Sequence, residues 1–264
     1  MNSLTQQYRS NADTLVQNYL RGEIEDYRDG VYSMADSARS DVDSASNPSS
    51  HYSNIANGFA GAYSTCASTC NEIEYLRGAY STCSSALSSL LSDVSNVENY
   101  ISDKESDAYS ALLNAQSKLN QADSIADYLE SLLSDADYYY YWSKSTTNIG
   151  DLEYMLAATE DIYYYANSEY YDGAYVATSK LVSESDSLIG GAYSARYDAE
   201  SYADSECNSI LSEAYSIISD YAASNESLNS DILAQKDLEQ EMANNPIGEK
   251  SAYEEKVETV IPPR

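Results

Sequence analysis

The chain has 264 residues, of which 43 are acidic and 14 basic, so its formal net charge at pH 7 is −29. Such a charge repels phosphate backbones and anionic lipid head groups, which excludes nucleic acid as an ordinary ligand. No run of about 18 apolar residues occurs and the polar N-terminus lacks a basic start with an apolar block, so we expect neither membrane insertion nor a secretory signal.

The excess of carboxylates is typical of a solvated acidic surface, whose self-repulsion salt or non-specific divalent cations would relieve. Two sharper interpretations remain open. One is adaptation to a high-salt habitat, and the other is mimicry of DNA to block a basic partner.

The first 46 residues carry apolar side chains at heptad spacing, which predicts a helix over 3–46. The apolar positions are Leu4, Tyr8, Leu15, Tyr19, Ile24, Tyr27, Val31, Met34, Ala38, Val42 and Ala45. Asn47 precedes Pro48, a context that disfavours the helical conformation, and Ser49 or Ser50 can cap the following helix.

A second helix is predicted over 51–143, and its most regular part begins at Ala108. Apolar residues there alternate between spacings of four and three without interruption, which predicts a helix packed along another helix. They are Ala108, Leu112, Ala115, Leu119, Ala122, Ala126, Leu129, Leu133, Ala136 and Tyr140. The polar, aperiodic stretch 143–150 is then predicted to be a turn.

A third helix is predicted over 151–243. Because the second and third helices flank one short turn, we expect a long antiparallel helical hairpin folded about residue 147. The first helix is about half as long and should pack on the base of this hairpin, far from the turn. The predicted fold is therefore all-α, an elongated three-helix coiled-coil bundle over 1–248 with a charged, proline-ended tail over 249–264.

Glycines suggest a competing architecture. Folding about residue 147 places Lys104, where the heptads change phase, opposite Gly190, which suggests a hinge there. Alternatively, each long arm breaks, at Gly78 and at Gly190, and the pieces fold into a compact bundle. A Gly-Ala-Tyr motif starting at residues 61, 78, 173 and 191 recurs too irregularly for a solenoid.

Three of the four cysteines, Cys66, Cys70 and Cys83, occupy apolar heptad positions and are expected to be small buried residues. No pair has the spacing of a zinc site. Pairing of the arms about residue 147 would bring Cys207 within one turn of Cys83. A disulfide between Cys83 and Cys207 would then tie the arms together.

We find no residues that argue for an enzyme. His51 is the single histidine, so a proton relay that needs two histidines cannot form, and no glycine-rich phosphate loop occurs. The run 41–47 begins like a calcium loop but lacks its glycine and closing glutamate. We therefore expect no catalytic residue, no cofactor and no metal ligand.

Tyrosine is the main aromatic residue, with 28 copies against one Phe and one Trp, and it concentrates on both sides of the predicted turn. Consecutive tyrosines point all round a helix, so one partner helix cannot bury them all. Exposed aromatic patches favour protein–protein contact, including self-assembly, while glycan stacking and burial in a thicker bundle remain alternatives. The candidate interaction residues are Tyr138, Tyr139, Tyr141, Trp142, Tyr163, Tyr164, Tyr165, Tyr170 and Tyr171.

These observations favour a non-enzymatic structural protein. We expect an acidic helical rod that self-associates, or docks onto other assembly subunits, through tyrosine-rich faces in a virion appendage, surface layer or filament. A virion or extracellular assembly is favoured over the cytoplasm. The alternative is an acidic helical binding module, either a receptor- or partner-binding tip or a decoy for a basic partner. A cation-storing or cation-gated bundle is a third interpretation.

Overall fold

The computed structural model describes residues 2–172 and 177–244, and these residues are almost entirely helical, with no strand among them. A 3₁₀ turn, Ser81–Cys83, joins the second and third helices, and a π-helical turn, Ser168–Asp172, follows the fourth. The prediction of an all-α helical bundle is confirmed. The five helices are α1 (Asn2–Ser44), α2 (Pro48–Ala79), α3 (Ser84–Ser145), α4 (Ile149–Asn167) and α5 (Thr178–Asn244).

The regular heptads of α3 face the core along most of their length. Their alanines let neighbouring backbones approach closely, while the leucines fill the space between the helices. Leu119, Leu133 and Tyr140 are partly buried. The other seven positions of the repeat are fully buried, namely Ala108, Leu112, Ala115, Ala122, Ala126, Leu129 and Ala136.

Asparagine side chains cap two of the helices. Oδ1 of Asn148 accepts a hydrogen bond from the Gly150 amide at 3.0 Å, so the predicted turn contracts to the residues around Asn148. Oδ1 of Asn47 accepts one from the Ser49 amide at 2.9 Å, in place of the predicted serine cap. Both contacts satisfy amides that a helix start leaves without intrahelical partners.

The continuous helices predicted over 51–143 and 151–243 are each interrupted once. Tyr80 leaves the helical conformation, with φ −122° and ψ 73°, two residues after the Gly78 at which the competing architecture breaks the arm. Gly190, however, lies inside α5, where buried neighbours such as Ala192 offset the cost of a glycine of about 1 kcal/mol. The second interruption falls instead between α4 and α5. The Gly-Ala-Tyr motif at 173 and the tail 249–264 lie outside the described residues.

The chain divides into two compact units, and the first contains Met1–Thr65 and Val97–Asp204. Here α3 runs antiparallel to α4 and to the start of α5. Tyr139 contacts Tyr154 with ring centroids 6.2 Å apart, and Nζ of Lys118 lies 2.7 Å from Oε2 of Glu184. The antiparallel hairpin is therefore present in this unit.

The predicted position of α1, far from the turn, is wrong. Gln17 donates to the Thr147 carbonyl at 2.8 Å and Arg21 to the Ser143 carbonyl at 3.0 Å, which places α1 beside the turn. The physical reason is a core in which Leu20 and Ile24 of α1 pack with residues of α4. The link at Asn47 does not reverse the chain.

The register of the hairpin also differs from the prediction. Folding about residue 147 would pair Tyr100 with residue 194, but its ring lies 4.2 Å from that of Tyr202. The shift of about eight residues arises because ten residues, 168–177, separate α4 from α5. Helix α3 continues through Lys104, and the predicted hinge facing Gly190 is not formed.

The second compact unit contains 66–96 and 205–244 of the described residues. The hydroxyl of Tyr215 on α5 donates to Oε1 of Glu72 on α2 at 2.8 Å. Its buried side chains come from the end of α2, the 3₁₀ turn, the start of α3 and the middle of α5. They are Cys66, Thr69, Ile73, Leu76, Cys83, Leu87, Leu90, Val94, Cys207, Ile210 and Ala214.

Candidate interaction surfaces

Six of the nine aromatic residues predicted to form an interaction surface are exposed. Trp142 is the least exposed of them at 38%, and Tyr141 and Tyr165 are the most exposed at 64%. The other exposed members are Tyr138, Tyr164 and Tyr171. Consecutive tyrosines on one helix therefore do divide between buried and exposed faces, as expected of residues that point all round it.

The remaining three, Tyr139, Tyr163 and Tyr170, are half-buried against the helical cores. The ring of Tyr163 lies 5.3 Å from that of Tyr27 on α1. A hydrogen bond with Tyr154 raises the pKa of the Tyr139 phenol, and burial raises the pKa of Tyr170. For these three side chains, packing within the bundle accounts for the aromatic ring.

A cluster of rings lies where α3 and α4 meet, and we call Tyr138, Trp142 and Tyr154 the aromatic face. The Tyr138 and Trp142 centroids are 6.0 Å apart, and those of Trp142 and Tyr154 are 6.4 Å apart. Tyr154 was not among the nine predicted interaction residues. Its position in the helix that starts after Asn148, close to the turn, could have pointed to it. All three side chains are exposed, with polar handles and apolar rings, which suits a protein interface.

A second surface lies at the start of α1, where every residue from 3 to 16 is exposed. Leu4, Tyr8, Leu15 and Tyr19, which we call the α1 stripe, are between 61% and 71% exposed. At 3.6 residues per turn they share one face, rotated by roughly 140° from the buried face that carries Ile24. The heptad reading placed these residues in the same stripe as Ile24, and so it missed that they form a separate surface.

A third surface lies at the end of α5, where every residue from 219 to 241 is exposed. Tyr221, Leu228 and Ile232, the α5 stripe, continue the buried line of Ile210 and Ala214 on the same helix face. The segment 219–241 contains six acidic residues and one lysine, a net charge of −5. It is therefore both apolar along one face and strongly acidic.

Several basic side chains of the first unit form ion pairs that join helices. Arg39 on α1 contacts Glu130 at 2.7 Å, Asp123 at 2.8 Å and also Asp127, all on α3. The hydrogen bond with Glu130, followed by that with Asp127, raises the pKa of the Arg39 guanidinium. Arg28 likewise pairs with Asp137 on α3 at 2.7 Å. These two arginines thus join α1 to α3 through ion pairs.

The cysteine pair predicted from the hairpin is wrong. Sγ of Cys207 lies 3.3 Å from Sγ of Cys66, whereas Sγ of Cys83 lies near the hydroxyl of Thr82. The shift of about eight residues in the hairpin explains why Cys207 does not lie against Cys83. His51 contacts the hydroxyl of Tyr193 at 3.0 Å, an ordinary packing contact between α2 and α5.

Across the part of the chain that the structure describes, no group of three His, Cys, Asp or Glu residues is arranged to hold a metal ion. None of the described helices is long and apolar enough to cross a membrane. No family model, curated protein or solved structure matches the chain.

Proposed function

We propose that this protein is a non-enzymatic structural subunit that self-associates in a larger assembly, such as a virion appendage, a surface layer or a filament. The observation that carries the proposal is the α1 stripe. It is an apolar stripe at helical spacing on a face of α1 that the bundle does not use. Apolar patches of this kind usually mark an interaction surface.

Charge favours a second copy of the chain as the occupant of the α1 stripe. Residues 3–19 contain only Arg9 and Asp13 as charged side chains, so the segment is neutral in a chain of net charge −29. Two acidic surfaces brought together would repel, whereas two copies of this segment would not. Packing of the stripe on its own counterpart gives an isologous contact, the commonest kind in homo-oligomers.

The aromatic face can extend this contact. Gln17 of α1 reaches the Thr147 carbonyl at the turn, so the α1 stripe and the α3–α4 junction lie in the same part of the first unit. Tyr and Trp are enriched at the centres of protein interfaces because their rings bury a large area with little loss of side-chain freedom. Both surfaces therefore suit assembly through copies of the same chain.

Sedimentation equilibrium on the full chain tests this proposal, with Leu4→Ser/Leu15→Ser as the interface variant. Leu113→Ser is the matched control, because Leu113 is 64% exposed on α3 and lies outside both surfaces. We expect wild type and control to form dimers or larger species and the double variant to remain monomeric, with unchanged helix content by circular dichroism. A wild-type chain that stays monomeric at about 100 μM would overturn the proposal, since that concentration detects contacts as weak as about −5 kcal/mol.

The second candidate function is an acidic binding module, and the α5 stripe favours it. A stripe that continues a buried line is shaped to receive one more helix, and a charge of −5 on residues 219–241 favours a basic one. A chain captured as a monomer on a sensor should then bind a basic amphipathic peptide. Leu228→Ser/Ile232→Ser should abolish that binding, and Leu113→Ser should preserve it.

A further inference from the structure

Two buried thiols from different helices meet in the second unit. Cys66 lies on α2 and Cys207 on α5, both are fully buried, and their sulfur atoms are 3.3 Å apart. A disulfide bond is about 2.05 Å long, so a small approach of the two side chains would bring the sulfurs to bonding distance.

We propose that Cys66 and Cys207 form a disulfide that links α2 covalently to α5. This goes beyond the assembly function, because it concerns a covalent modification inside one subunit and does not depend on any partner. It also replaces the Cys83–Cys207 link that the sequence suggested.

The oxidant is a small-molecule disulfide of the glutathione class. One cysteine loses its proton to solvent and attacks the oxidant, which forms a mixed disulfide and releases one reduced thiol. The second cysteine, also deprotonated, then displaces the other half of the oxidant as a second thiol. The protein loses two protons and two electrons, and the oxidant is reduced to two thiols.

Burial of the two thiols determines at which stage of folding the oxidant can reach them. The attack requires contact between oxidant and thiol, which full burial of both side chains prevents in the closed bundle. The reaction therefore proceeds before α2 and α5 pack, or through local opening of the second unit. Once formed, the bond is shielded from reductants by the same burial.

The position of the link gives it a structural role. It joins residues 141 positions apart, and closure of so long a loop restricts the unfolded chain strongly. It also anchors α5 twelve residues before the exposed segment that begins at residue 219. A disulfide here holds the base of that segment in the bundle, and it implies that the protein works in an oxidising environment.

The test is to incubate the full chain with oxidised glutathione, and a parallel sample with dithiothreitol, before labelling free thiols under denaturing conditions. We expect two labelled thiols after oxidation and four after reduction. Non-reducing peptide mapping should show the peptide of Cys66 joined to that of Cys207. The melting temperature of the oxidised chain should be higher by roughly 10 °C, as expected for a loop of this length in a protein of this size.

Two alanine variants make the test specific. Cys83→Ala removes a buried thiol and should leave the Cys66–Cys207 link and the rise in melting temperature in place, whereas Cys207→Ala should abolish both. Retention of four free thiols in the oxidised wild type would overturn the proposal, and so would a link from Cys207 to Cys83 or from Cys66 to Cys70. Because these outcomes are read on the wild type, they hold even if a variant fails to fold.

Discussion

The start of α1 and the end of α5 are both exposed helical segments with large apolar side chains, yet they differ in two physical respects. The α1 stripe lies on a face turned away from the buried side of its helix, and its segment 3–19 carries no net charge. The α5 stripe lies in line with the buried side of its helix, and residues 219–241 carry a net charge of −5. The area of exposed apolar surface alone would not distinguish these two segments.

The difference matters because the two proposed partners are distinguished by the direction of each stripe and by its charge. An apolar stripe on a face turned away from the buried side of its helix offers an interface that is separate from the core. A stripe that continues the core, by contrast, is a place where a further helix would extend the bundle. Neutrality permits contact between identical copies, while strong acidity opposes it and favours a basic partner.

The largest expected effect separates the two faces of α1. Ile24→Ala removes a fully buried side chain and should lower the free energy of unfolding by about 2–5 kcal/mol, whereas Leu15→Ala, at 70% exposure, should change it by less than about 0.5 kcal/mol. Urea denaturation measures both. In sedimentation equilibrium, Leu15→Ala should weaken self-association more than Ile24→Ala does, although it costs less stability. The reason is that only Leu15 belongs to the proposed interface. Equal destabilisation by the two variants would mean that the α1 stripe packs within its own chain.

Heptad spacing predicted which side chains of α3 are buried, because Leu112 and Leu129 must face some neighbour whatever that neighbour is. The polar, aperiodic stretch 143–150 predicted the turn around Asn148, where side-chain capping chemistry is local. Spacing could not say which helix supplies the neighbour, so α1 was placed far from the turn. It also could not fix the register, because the link 168–177 sets how far α5 starts along α3, and Cys207 was therefore matched with Cys83.

Salt should act on the two exposed segments in opposite directions. Raising NaCl from about 50 mM to about 500 mM shortens the Debye length from above 10 Å to below 5 Å. Self-association at the α1 stripe should strengthen, because repulsion between chains of charge −29 is screened. Binding of a basic peptide to the α5 stripe should weaken by roughly tenfold, because its attraction to six carboxylates is screened as well.

Sedimentation and peptide titration at the two salt concentrations measure these responses. Glu226→Gln/Asp231→Asn provides the matched control, because it should reduce the salt dependence of peptide binding and leave self-association unchanged. Parallel salt responses at the two segments would remove the distinction between them.

Tyr27, on the bundle-facing side of α1, should make the stability of the protein depend on pH, whereas the exposed α1 stripe should not. The Tyr27 hydroxyl donates to Oε1 of Glu160 at 3.1 Å, and this hydrogen bond to a carboxylate raises the Tyr27 pKa from 10.0 to about 12. Because the folded pKa is the higher one, the contribution of this contact to stability is fully present below pH 10. It is lost as the pH rises from 10 through about 12.

Phenolate absorbance measures this titration in the difference between wild type and Tyr27→Phe, which should have a midpoint near pH 12. Glu160→Gln is the control, because a neutral amide should return the midpoint toward 10. A wild-type midpoint close to 10 would show that Tyr27 and Glu160 do not pair in solution.

The smallest effects come from two glycines of α1. A methyl group at Gly22 would meet no atom within 4 Å, while at Gly30 it would lie 2.6 Å from the Tyr163 ring. Gly22→Ala should therefore raise the free energy of unfolding by about 0.5–1 kcal/mol through helix propensity. Gly30→Ala has the same propensity gain, but it must displace a ring that also contacts Tyr27, so its net effect should be destabilising. Urea denaturation of the two variants compares them directly, and equal stabilisation by both would mean that α1 and α4 do not approach each other as closely as Gly30 allows.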